Sequence, residues 1–233
     1  MTTKFVCISD THGFLPTDLP DGDILLHSGD ICPTYDHSIS FQQQWIHHMF
    51  MPYLKKLESK YRAIIFIGGN HDWVLEKGLD FSYLRNPMLT KPHEIYYLQD
   101  SSITIDGIKI WGTPHQLTFY NWAFNLDEPD LAKKWELIPK DTDVIVCHGP
   151  AYGYGDSVYP RTWQNEEKYP EVEHVGSPSM LKKIEEIRPK LYVCGHVHEG
   201  RGVYKRGSTI IVNASYLDAS YKPYKKEVTV IEI

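Results

Sequence analysis

The sequence predicts a mixed α/β fold, two packed mixed β-sheets flanked by helices. Three observations predict it. Short apolar runs recur at residues 5–9, 24–28, 63–67, 144–147 and 191–194 and read as buried strands. A helical-period stretch lies between two of them, and a second precedes the last. Pairs of alternating segments around a turn mark hairpins. Crossovers mixed with hairpins suit two layers of sheet covered by helices.

Residues 4–10 and 23–30 form the first two strands. Residues 38–60 are helical, with Phe41, Trp45 and Met49 on one face and a break or restart at Pro52. Residues 63–68 form the third strand. Residues 102–111 alternate isoleucines around Asp106-Gly107, a hairpin signature. Residues 143–147 are a strand, and 178–188 a helix opened by Ser177 or Pro178. Residues 190–194 are a strand, 202–214 a hairpin turning at Lys205-Arg206-Gly207, and 227–233 a closing strand. The aromatic stretch after Pro150 has weak periodicity and reads as a long functional loop.

The 233 residues suit a single domain, 1–233, large enough to bury a core. A net charge of −6 leaves no general footprint for nucleic acid or an anionic membrane, so an anionic substrate must be drawn by a local positive site. No apolar run approaches the ~18 residues that span a bilayer, and the first residues lack a signal-peptide pattern. The expected location is cytoplasmic. Cys7, Cys32, Cys147 and Cys194 are far apart and form no CxxC, so they read as buried, reduced residues.

The chemistry sits at the C-terminal ends of the apolar runs. The first ends in Asp10-Thr11-His12, the second in Gly29-Asp30, the third in Gly68-Gly69-Asn70-His71-Asp72. The fourth ends in His148-Gly149-Pro150 and the fifth in Gly195-His196-Val197-His198. Five strands each finishing in a metal-competent side chain indicate one site at one edge of the sheets. Asp10, His12, Asp30, Asn70, His148, His196 and His198 offer carboxylate, amide and imidazole donors without thiolate. That set suits Mn, Fe, Zn, Co or Ni. Seven donors exceed one tetrahedral zinc and match two divalent metal ions sharing a carboxylate.

The order Asp-x-His, Gly-Asp, Gly-Asn-His-Asp, His and Gly-His-x-His resembles the calcineurin-like metallophosphoesterases. Trp111-Gly112-Thr113-Pro114, His148-Gly149-Pro150, the run from Gly195 to Gly200 and Asn213-Ala214-Ser215 resemble its small metallophosphoesterase-domain (MPPED-like) phosphodiesterase branch. The resemblance implies a calcineurin-like phosphoesterase sandwich. It implies that Asp10, His12 and His198 hold one ion, that Asp30 bridges, and that Asn70, His148 and His196 hold the other. His71 would be catalytic, reaching the substrate phosphate or protonating the leaving oxygen. The implied activity is hydrolysis of small phosphodiesters, cyclic nucleotides among them, by a metal-activated hydroxide, with manganese the expected ion in vitro. The alternatives are a phosphomonoesterase and a non-catalytic phosphate- or protein-binding relative. One departure stands out: Pro33 occupies the place of a second aspartate in the common Gly-Asp-x-x-Asp pattern, leaving Asp72 or Asp36 as candidates to orient His71. His115, after the Trp-Gly-Thr-Pro stretch, and Arg161 are candidate substrate contacts. The aromatic residues read as packing, and His174, in the long loop, is a weaker candidate than His115 to line the pocket. A metallo-β-lactamase reading fails, because His196 and His198 are followed by Glu199-Gly200 and not by Asp-His.

Overall fold

The computed structural model describes residues 2–79, 94–158, 172–225 and 228–233. In the first sheet, β1 (Lys4–Ile8), β2 (Ile24–His27), β3 (Ala63–Phe66) and β4 (Ile95–Tyr97) run parallel in that order. β15 (Thr229–Glu232) closes it antiparallel to β1, as the alternation at the end of the chain predicts.

The second sheet begins with the hairpin of β5 (Ser101–Ile105) and β6 (Ile108–Thr113). Asp106 and Gly107 turn it with φ of 50° and 80°, the left-handed pair that a tight hairpin requires. β7 (Gln116–Leu117) and β8 (Asn125–Leu126) form a short separate pair. β9 (Val144–Cys147) lies beside β6, and β10 (Ser157–Val158) pairs with β11 (Glu173–His174). β12 (Leu191–Cys194), β13 (Gly202–Arg206) and β14 (Thr209–Asn213) complete the order β13-β14-β12-β9-β6-β5. The β13–β14 hairpin turns at Gly207-Ser208, not at Lys205-Arg206-Gly207, because Lys205 and Arg206 still pair with Ile210 and Thr209. Gly207 supplies the positive φ, 58°.

The two sheets face each other. Phe5, Cys7, Leu26 and Ile65 of the first pack with Val144, Val146, Val193 and Val212 of the second in one buried cluster. The outer face of the first sheet, with Val6, Leu25 and Ile64, packs on Trp45, Phe50 and Leu54. The outer face of the second, with Ile145 and Tyr192, packs on α4 (Glu128–Trp135) and α5 (Pro178–Ile187) through Trp135 and Met180. Both faces of the central strands are therefore dry, and their sequences run apolar without alternating.

The long N-terminal helix differs from the expectation. α1 (Ile39–Trp45) passes through a π-helical segment, Ile46–Phe50, into α2 (Met51–Leu57) without a break. Pro52 lacks an N–H and its ring crowds the preceding turn, and the widened π turn directly upstream accommodates both. The extra residue rotates the inward stripe. Trp45, Ile46 and Phe50 are buried, whereas Met49 points out at 50% exposure. The four-residue helix α3 (Trp73–Glu76) follows the third strand's terminal loop. Among the described residues, no helix is long and apolar enough to cross a membrane.

Candidate metal centre

The parallel strands of both sheets end at one rim, and the seven donors lie one to four residues beyond those ends. Asp10, His12, Asp30 and His196 adopt φ of 50°, 42°, 55° and 67°. Non-glycine residues avoid this left-handed region, at a cost on the order of 1–3 kcal/mol each. The surrounding fold holds these four against their preference. Glycines supply the clearance: a Cβ on Gly69 would stand 2.4 Å from the amide and carboxylate of Asp30, and one on Gly195 2.1 Å from the Asp10 carboxylate.

Within the rim the donors converge. His198 Nε2 lies 3.4 Å from Asp10 Oδ1 and 3.3 Å from His12 Nε2. Asp30 sits between the two halves, with Oδ2 3.6 Å from His12 Nε2 and Oδ1 3.6 Å from His148 Nε2. Asn70 Oδ1 is 2.8 Å from His148 Nε2 and 2.7 Å from His196 Nδ1. Asp10 and His148 are fully buried, and His196 is partly exposed. The second nitrogens of two imidazoles are anchored on main-chain carbonyls, His148 Nδ1 on Ser28 and His198 Nδ1 on Asp218. Such anchoring fixes the tautomer and aims the other nitrogen inward.

Electrostatics describe the same set. Burial raises the Asp30 carboxyl well above the usual range, and the neighbouring Asp10 and Asp72 add to it. Burial also works against ionised Asp10, but the hydrogen bond and charge of His198 hold that carboxyl well below its usual range. Burial keeps His12 and His148 low and His196 at about 3, so these imidazoles are neutral and have lone pairs to give. Burial works against a charge on His198, but its hydrogen bond to Asp10 raises its pKa, and around that pair three neutral imidazoles, the Asp30 carboxyl and an amide oxygen gather their lone pairs on one rim. Divalent cations fit this donor set.

A supporting layer fixes the loops. The buried Asp72 carboxylate accepts from the amides of Ile31, Cys32 and Gly69, clamping the loop after β2 to the loop after β3. Asn213 Nδ2 donates to the carbonyls of Gly155 and Val197, and its Oδ1 accepts from Ser215. Ser215 Oγ in turn donates to Asp10. The Asn-Ala-Ser stretch thus ties the Gly195–Val197 loop to the rim, a role its sequence did not disclose.

His71 is held from several sides. Its amide donates to Asp30 Oδ1 at 2.8 Å, and its carbonyl accepts from Gln42 Nε2 at 2.7 Å. Trp122 lies 4.3 Å from its ring. Neither Asp72 nor Asp36 orients it, since Asp72 is spent on backbone amides and Asp36 caps Ser38. The partner of His71 Nδ1 is His37 Nε2, at 3.2 Å. Burial first, then the charge of His37, lowers His71 to about 3. Sequence reasoning gave His37 no weight, because an isolated histidine in a polar loop carries no local signal.

His115 lines the adjoining cleft, but both its nitrogens are engaged, Nδ1 with the Phe124 carbonyl at 3.3 Å and Nε2 with Asp100 at 3.1 Å. Arg161 lies outside the described residues. His174, the weaker of the two histidine candidates, also borders the cleft, with Nδ1 bound to the buried Asp156 at 2.8 Å.

The family model described as calcineurin-like phosphoesterase matches residues 3–200. Metallophosphoesterase domain-containing protein 1 of Homo sapiens is 33% identical over 249 residues, which cover 98% of this chain and 70% of that protein. The uncharacterized protein MJ1162 of Methanocaldococcus jannaschii is 43% identical over 242 residues, covering 98% and 95%. TT1561 of Thermus thermophilus shares the fold at a TM-score of 0.53 and 14% identity, over 92% of this chain and 90% of that one.

Proposed function

Because the chain belongs to the calcineurin-like phosphoesterases and is thereby a metal-dependent hydrolase of phosphoric esters, we propose that it is a phosphodiesterase acting on small diesters. The observation that carries this reading is a pair of clefts flanking the donors. The larger, about 840 Å³, opens beside His196 and His198. The smaller, about 340 Å³, opens beside His12, and Tyr221 borders both. A diester has two organic arms and one negative charge, whereas a monoester has one arm and a second charge. Phe119 and Tyr120, 53% and 80% exposed, border the larger cleft and offer ring faces to a planar arm such as a nucleobase.

Asp10, His12 and His198 are assigned one ion, Asn70, His148 and His196 the other, and Asp30 both. Bound divalent ions, manganese in vitro, supply Lewis-acid stabilisation of phosphoryl charge and an acidified water. The chain's own part is to fix seven donors and to hold His71 at the edge of the cluster, where an N–H can meet a phosphate or departing oxygen. A cytoplasmic location belongs to the same reading, supported by four buried, unpaired cysteines.

The test is turnover of bis(p-nitrophenyl) phosphate, p-nitrophenyl phosphate and cyclic nucleotides by manganese-loaded protein. Diester cleavage should exceed monoester cleavage and vanish on chelation. His71→Ala should lower kcat by about 100-fold or more. Faster monoester turnover would overturn the diester assignment, and no turnover on any ester would favour a binding role.

A further inference from the structure

We propose that His37 is the positioning residue for His71, donating an N–H to Nδ1 and so fixing the tautomer that presents Nε2–H to the substrate. The proposal rests on the hydrolytic reading of the site.

The bond between His37 Nε2 and His71 Nδ1 needs one donor and one acceptor, and the chemistry around the pair decides which ring donates. A phosphate ester brings only oxygen acceptors, so His71 is useful there as a donor. One His71 ring nitrogen lies within 4.8 Å of ligand atoms of Asp30 and His12, so the ring reaches the edge of the proposed cluster. A neutral His71 with Nε2–H must accept at Nδ1, and the atom 3.2 Å away is His37 Nε2. His37 therefore donates. A carboxylate in its place would demand the proton at Nδ1 and, in a neutral ring, would leave Nε2 bare.

Packing holds the couple. Trp122 touches both rings, with centroids 4.3 Å from His71 and 5.1 Å from His37. The His12 ring meets His71 edge-on at 5.0 Å. Gln42, fully buried, donates to the His71 carbonyl and accepts from Val74 N, pinning the backbone beneath the ring. His37 is half-buried on the loop before α1, so that loop carries the orienting group to His71 from outside the strand rim. The N–H so presented stabilises negative charge as it develops on the departing oxygen. Its effect should grow as the leaving alcohol becomes less acidic.

Two readouts test this. In wild-type protein, metal-free and zinc-loaded, ¹⁵N-imidazole NMR should show His71 Nδ1 unprotonated and Nε2 protonated, with the signals assigned by loss in His71→Gln. A protonated Nδ1 in wild type overturns the proposal, whatever the activity. In kinetics, a series of methyl aryl phosphates with leaving phenols of rising pKa is hydrolysed by wild type, His37→Phe and His37→Gln. Phe keeps the ring stack without a donor, and Gln places an N–H near the position of Nε2. His37→Phe should lose about 10-fold in kcat on the phenol ester and less than about 3-fold on the p-nitrophenol ester, with Gln restoring most of the loss. An unchanged leaving-group dependence in Phe, or equal behaviour of Phe and Gln, overturns it. Wild type inactive on every ester would sink the hydrolytic reading instead, and the NMR result would still decide the tautomer.

Discussion

His27 shows how much a single buried imidazole can carry. It ends β2, fully enclosed, with Nδ1 3.3 Å from the amide of Gly29 and Nε2 3.0 Å from Thr11 Oγ1. The amide donates, so the ring is the neutral Nε2–H tautomer and its second proton has nowhere to go. Burial lowers its pKa to about 3. In the unfolded chain it titrates near 6.5. Between those values the unfolded state binds the extra proton, so stability falls as pH drops through this window. Denaturant unfolding of metal-free protein between pH 6 and 4 should show a stability slope smaller by about 1.4 kcal/mol per pH unit in His27→Gln than in wild type. Equal slopes would show that His27 titrates normally in the fold. Among single residues, the seven donors were legible because each directly follows an apolar run. His37, Asp72 and Asn213 were not, because each has its role through a partner far along the chain, 34, 40 and 58 residues away. Nothing local distinguishes an aspartate that clamps backbone amides from one that caps a turn.

At the scale of elements, strands buried on both faces announced themselves and thin ones did not. β4, β7, β8, β10 and β11 have two or three residues each and escaped the pattern, as did α3 and α4. The helical face was misjudged at Met49 because a π segment shifts the period by one residue, and only the packed helix reveals it. Helix α5 was read closely. Ser177 caps it by accepting from Met180 N at 3.1 Å, and Pro178 follows at the first turn. Its far end is less comfortable, since Arg188 takes φ 55° at the C-cap while its side chain is exposed. Arg188→Gly should relieve that torsion without removing packing and stabilise the fold by roughly 0.5–1 kcal/mol, read as a higher midpoint in urea. A lower midpoint would mean that the arginine side chain contributes more than its backbone costs.

For the whole molecule, the candidate centre joins the two sheets. Asp10, His12, Asp30 and Asn70 come from the first sheet, and His148, His196 and His198 from the second, so each proposed ion has donors from both. Binding at 100 times the dissociation constant should stabilise the fold by about 2.7 kcal/mol. Differential scanning calorimetry of manganese-loaded and chelated protein should show this as a higher Tm. An unchanged Tm would show that the ions do not bridge the sheets. This convergence was visible in outline, since five strand ends of matching chemistry imply one edge. The two packed sheets with helices outside them were legible as well, but the strand order within each sheet was not, because it depends on contacts between distant segments.

The torsions at Asp10, His12, Asp30 and His196 have a further consequence. These positions resemble cocked springs whose latch is whatever the donors grip. A transplant of the same side chains onto a relaxed sandwich would reproduce the composition of the rim without its aim.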